Sequence, residues 1–76
     1  MKEILNIVEK ATEVNWSDTG FLVAVNMLPN YLGVSIYKGS ISERSVVYYN
    51  GLDNDYTNYD EIIDKLNECL RGVLDE

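Results

Sequence analysis

Residues 31–38, Tyr-Leu-Gly-Val-Ser-Ile-Tyr-Lys, repeat with a period of two: Leu32, Val34 and Ile36 point one way, Tyr31, Ser35 and Tyr37 the other. That period belongs to an extended strand with one buried face, because successive side chains of a strand leave on opposite sides. A lone strand has no partner for its main chain, so its neighbours in sequence must supply one. On the N-terminal side, residues 21–28 (Phe-Leu-Val-Ala-Val-Asn-Met-Leu) are an apolar run too short for a helix and bounded by Gly20 and Pro29. Pro29-Asn30 reads as the turn between the two runs. On the C-terminal side, Gly39 to Glu43 connect to a third strand over residues 44–49, with Val46 and Tyr48 opposite Val47 and Tyr49. Connections this short join antiparallel neighbours, so the sheet is a three-stranded meander.

The flanks of this core have the helical period instead. Over residues 2–15, Ile4, Leu5, Ile7, Val8, Ala11 and Val14 share one side of a helical wheel and Lys2, Glu3, Asn6, Glu9, Lys10 and Glu13 the other. Asn15, tolerant of the left-handed conformation, is expected to stop this helix. Residues 50–58 are polar enough for a loop, and a second helix is expected over 58–74. Thr57 or Asn58 is placed to cap it, each with an acid three residues on, Asp60 or Glu61. Its apolar face runs through Tyr59, Ile62, Ile63, Leu66, Cys69, Leu70, Val73 and Leu74. The expected fold is α+β, in the order α-β-β-β-α, with both helices on one face of the sheet. Seventy-six residues accommodate a single domain, 1–76.

Charge and residue types then narrow the function. Six Lys and Arg against thirteen Asp and Glu give a net charge of −7. Such a chain repels nucleic-acid phosphates and anionic membranes and favours a basic protein partner. There is no histidine, the usual base and metal ligand, so the chain is expected not to be an enzyme. Cys69, the single cysteine, lies on the apolar stripe of the second helix and reads as a small buried hydrophobe. It allows no internal disulfide, which fits a cytoplasmic location. The N-terminal residues are not expected to form a signal peptide, and no apolar run is long enough to span a bilayer.

Two motif-like features resolve into ordinary structure. Residues 53–64 place oxygens at several positions of an EF-hand loop, but Asn58 replaces the central glycine and Asp64 the long closing glutamate. An acid-rich first helical turn, favoured by the helix dipole, explains these residues without a metal, and no cofactor is expected. The order α-β-β-β-α is also that of double-stranded-RNA-binding domains. Those grip phosphate with lysines at the start of the last helix, where this chain carries Asp53, Asp55, Asp60, Glu61 and Asp64. Direct nucleic-acid binding is therefore not expected.

What remains is a surface for proteins. Besides the acidic array Asp53, Asp55, Asp60, Glu61 and Asp64, the chain has six tyrosines, of which Tyr31 and Tyr37 belong to the open face of the sheet and Tyr56 to the acidic loop. Tyrosine is enriched at interfaces, and cross-strand aromatic packing is the alternative account of the same residues. In size, acidity and element order the chain resembles the small acidic proteins of phages and mobile elements, including anti-CRISPR and other nucleic-acid-mimicking inhibitors. That resemblance implies an inhibitor in the host cytoplasm. It would present the acidic array, with Tyr31, Tyr37 and Tyr56, to the basic surface of a nucleic-acid-handling complex. The alternative is a structural or assembly module, a homodimer or a small subunit of a larger complex, in which the tyrosine face is buried and the acids serve solubility.

Overall fold

A computed structural model describes residues 2–39, 43–52 and 55–74. In order it contains α1 (Lys2–Trp16), β1 (Phe21–Leu28), β2 (Tyr31–Gly39), β3 (Arg44–Leu52) and α2 (Tyr59–Leu70). The sheet is an antiparallel meander in the order β1-β2-β3, and both helices pack on one of its faces. Leu32, Val34 and Ile36 of β2 point into the core with Phe21 and Val23 of β1, Ile7, Ala11 and Val14 of α1, and Ile62, Leu66 and Cys69 of α2. The two-residue link at Pro29-Asn30 turns because Asn30 takes the left-handed conformation, at φ 60°, that asparagine tolerates better than most residues.

Five local expectations are corrected. The third strand runs on to Leu52, past the predicted end at Tyr49. Gly51 and Leu52 pair with Gly33 and Leu32, and Leu52 is buried. The polar composition of Asn50-Gly51 suggested a loop, but burial of Leu52 and the sheet register keep it in the ladder. Within the same strand, Ile36 pairs with Tyr48 and Tyr37 with Val46, so Val47 is an extra residue, a β-bulge. The bulge breaks the predicted alternation: Val46 faces outward with Tyr37, while Tyr48 faces inward with Ile36.

The second helix ends at Leu70 instead of 74. Gly72 adopts φ 71°, its N–H donates to the Cys69 carbonyl at 3.0 Å, and the Val73 N–H donates to the Glu68 carbonyl at 2.9 Å. That pair of bonds is a Schellman stop, available because glycine enters the left-handed region without steric penalty. It returns Leu74 to the core. Asn58 is the N-cap residue but makes no side-chain capping bond, because its amide is used at the edge of β3, where it donates to Asn50 Oδ1 at 2.6 Å and to the Gly51 carbonyl. Asn15 likewise does not stop α1 in a left-handed turn. It lies inside the helix, and its side chain accepts from Val23 N–H at 2.7 Å and donates to Val23 C=O at 2.9 Å.

Candidate protein-binding surfaces

The strand register sorts every side chain of the sheet to one of two faces. Away from the helices lie Leu22, Ala24, Asn26 and Leu28 of β1, Tyr31, Gly33, Ser35 and Tyr37 of β2, and Arg44, Val46, Tyr49 and Gly51 of β3. No acidic residue is among them, although acids outnumber bases by thirteen to six in the whole chain. Their centre is aromatic and apolar: Val46 keeps 56% and Tyr49 57% of its surface exposed. The three strands contain no acid on either face, so the acids of this chain lie outside the sheet and its uncovered face is left apolar and aromatic.

Its middle is built by two glycines. Gly33 and Gly51 pair across the strands, and the rings of Tyr31 and Tyr49 lie over them with their hydroxyls 2.6 Å apart. A Cβ on Gly51 would land on the Tyr31 ring, and one on Gly33 would come within 3.1 Å of the Tyr49 hydroxyl. Glycine is therefore required here for the close approach of aromatic rings to the main chain. Further along, the Arg44 guanidinium sits 5.5 Å from the centre of the Tyr37 ring, a cation–π pair.

The residues singled out in the sequence do not form one surface. Tyr31 and Tyr37 lie on the open face, as the alternation of β2 requires. Asp60 and Asp64 lie one turn apart on α2, on the helical side of the molecule, and are exposed, as is Asp55 before the helix. Asp53 lies outside the described residues. Glu61 is exposed but bonded: its Oε2 accepts from the Tyr48 hydroxyl at 2.7 Å and from Asn50 Nδ2 at 2.9 Å. Tyr56 is half-buried against the core with φ 55°, a strained conformation for a bulky residue. Tyr49 and Val46 were missed because the Tyr48-Tyr49 pair gives no sign of which ring faces outward until the bulge at Val47 sets the register.

The bonds to Glu61 belong to a polar network that ties α2 to β3. Asn50 Nδ2 also donates to the Tyr48 hydroxyl at 2.9 Å, and Gly51 N–H donates to Asn50 Oδ1 at 2.8 Å. Burial pushes the Tyr48 phenol up to about 12; the Asn50 bond lowers it, and the bond and charge of Glu61 raise it further. Burial similarly pushes the Cys69 thiol up to about 11, helped by the Glu68 charge. A thiol so disposed holds its proton at neutral pH and is a poor nucleophile. Among the described residues no three His, Cys, Asp or Glu side chains converge on a metal-sized site, and no helix is long and apolar enough to cross a membrane.

One cavity of about 230 Å³ opens at the end of the sheet where β1 turns into β2. It is lined by Ile4 of α1, Met27, Leu28, Tyr31 and Leu52 of the sheet, and Tyr56. That volume is below the range of about 300 to 1,000 Å³ usual for small-molecule sites and nearer the size of one large side chain. No family model matches the chain, and no curated protein or solved structure is similar to it.

Proposed function

We infer that the chain is a non-enzymatic protein-binding domain that docks through the open face of its sheet onto a protein with a basic surface. What carries this reading is the segregation of charge: the outer face holds Tyr31, Tyr37, Val46 and Tyr49 and no acid, on a chain of net charge −7. An apolar aromatic centre within an acidic molecule suits an interface whose core supplies contact energy while the overall field steers a basic partner to it. The buried free thiol of Cys69 accords with a reducing cytoplasm.

A second reading is favoured by the exposed pair Asp60 and Asp64. In it the helical side imitates nucleic acid towards a basic channel, in the manner of the small acidic phage inhibitors, and the sheet face is secondary. The two separate in one experiment: the chain captures its partner from host-cell extract, identified by mass spectrometry, and the binding kinetics of variants are compared. Tyr49→Asp with Val46→Asp should abolish capture, whereas Asp55→Asn, Asp60→Asn and Asp64→Asn together should only slow association. If the charge triple removes binding and the sheet-face pair does not, the acidic reading replaces the first.

A further inference from the structure

We propose that the flank formed by α1 and the free edge of β1 is a self-association surface, on which a second copy packs with two-fold symmetry and each copy's Trp16 enters the other's cavity. This surface is distinct from the open face, and nothing in it depends on the protein-binding reading.

The helix supplies the first half of the flank. Leu5, Val8, Thr12 and Trp16 fall on one stripe of α1. The opposite side of α1 is turned to α2, where Asn6 donates to the Tyr59 hydroxyl at 2.9 Å. The stripe itself lies on the β1 side, since the adjacent Asn15 bonds the edge of that strand. The exposed Glu9 borders it, four residues from Leu5 and seven from Trp16; within the stripe Leu5 is 61% and Trp16 88% exposed. A tryptophan left almost wholly in water is unusual, for its ring is among the largest apolar surfaces a chain can bury.

The strand supplies the second half. In an antiparallel ladder alternate residues turn their main-chain groups toward the neighbouring strand and away from it. Val23 gives both of its groups to Asn15, so the odd-numbered residues of β1 face outward. The N–H and C=O of Val25 and Met27 accordingly point to the open edge of the sheet. All eight residues of β1 are uncharged, and Met27 is 61% exposed. A long uncharged edge strand is what proteins usually avoid unless something pairs with it.

The two ends of the flank are complementary. Trp16 follows Asn15, which bonds Val23 near the start of β1; the cavity lies where β1 finishes, with Met27 and Leu28 in its wall. A two-fold axis at Asn26, which sets Val25 opposite the copy's Met27, exchanges these ends and brings each Trp16 to the end of the sheet where the other copy's cavity lies. It also turns the open edge at Val25 and Met27 toward its own copy, so that one residue's N–H meets the other's C=O. An isologous contact of this kind closes at two copies and does not propagate. A standard interface buries about 800 Å² on each partner, roughly a sixth of the chain's 4968 Å² of surface.

The test uses the whole chain. Trp16 is the single tryptophan, so its emission reports the seat directly. Sedimentation equilibrium should give twice the monomer mass at high protein concentration, with the emission shifting to shorter wavelength in step with dimer formation. Raising salt should strengthen the association, because it screens the repulsion of two −7 bodies and of the Glu9 carboxylates that border the seam. Trp16→Ala and Met27→Lys, both at exposed positions and checked for folding by circular dichroism, should each weaken dimerisation about 30-fold or more. A chain that stays monomeric to about 1 mM with water-like tryptophan emission overturns the proposal. So does a dimer that Trp16→Ala leaves intact.

Discussion

The two edges of the sheet face the same difficulty and meet it unequally. On both, an asparagine from a helix satisfies outward main-chain groups. Asn15, near the end of α1, holds the N–H and C=O of Val23, and Asn58, at the start of α2, donates to the C=O of Gly51 while Asn50 accepts from its N–H. Beyond these clamps the edges diverge. The edge of β3 is broken by the bulge at Val47 and carries Arg44, two features that discourage a further strand. β1 has no bulge in its pairing with β2 and no charge, and its second half stays open at Val25 and Met27. One edge is closed and the other is left half available, which is the difference expected between a structural border and a surface meant for use.

The sharpest way to break this comparison is proline scanning of β1. Asn26→Pro removes an N–H that bonds to β2 and should destabilise the fold by about 3 kcal/mol or more. Met27→Pro removes an outward N–H and should cost less than about 1 kcal/mol, since edge positions facing solvent accept proline. Urea denaturation measures both; equal losses would mean that the alternation of β1 is misassigned.

The clamps themselves should rank. Asn58→Ala leaves the Gly51 carbonyl without its side-chain donor and Asn50 Oδ1 with only the Gly51 N–H, and should lower stability by about 2 kcal/mol. Asn15→Ala should lower it by about 1 kcal/mol, because Asn15 is exposed where Asn58 is half-buried, and water can take the place of its amide. Thermal unfolding of the two variants checks the order, and a reversal would make β1 the edge that depends more on its clamp.

The smallest effect is alkaline. The folded pKa of Tyr48 is raised above its ordinary value of 10.0 to about 12, so the folded state holds the phenolic proton more tightly than the unfolded chain. The stability this contributes is whole below pH 10 and drains away as pH rises from 10 towards 12. Cys69, raised from 9.0 to about 11, adds the same sign of slope from pH 9. Tyr48→Phe should flatten the fall in melting temperature between pH 10 and 12; an unchanged slope would detach the network on β3 from alkaline unfolding.

Much of this architecture was legible before any coordinates. The alternation of Leu32, Val34 and Ile36 gave β2 its inner face and put Tyr31 and Tyr37 on the outer one, and Gly20 and Pro29 bounded β1 at its observed limits. Gly72 carried a readable stop signal for α2 that the apolar stripe running on to Leu74 overrode. The candidate site was less legible. Tyr31 and Tyr37 were found, but Tyr49 and Val46 depend on a bulge that no period announces. Glu61 looked like its acidic neighbours and is instead bonded to Tyr48 and Asn50.

By itself the sequence determined element order and the faces of β2, because both rest on residues a few positions apart whose geometry a regular element dictates; Leu5, expected on the apolar side of α1, is instead 61% exposed. Only the tertiary structure decided where the two edge asparagines spend their amides. It also set which of Tyr48 and Tyr49 faces outward and placed Trp16 and the cavity at opposite ends of one flank. Each of these is a relation between segments, and it takes its value from the strand register and from which main-chain groups the neighbouring strand leaves unpaired.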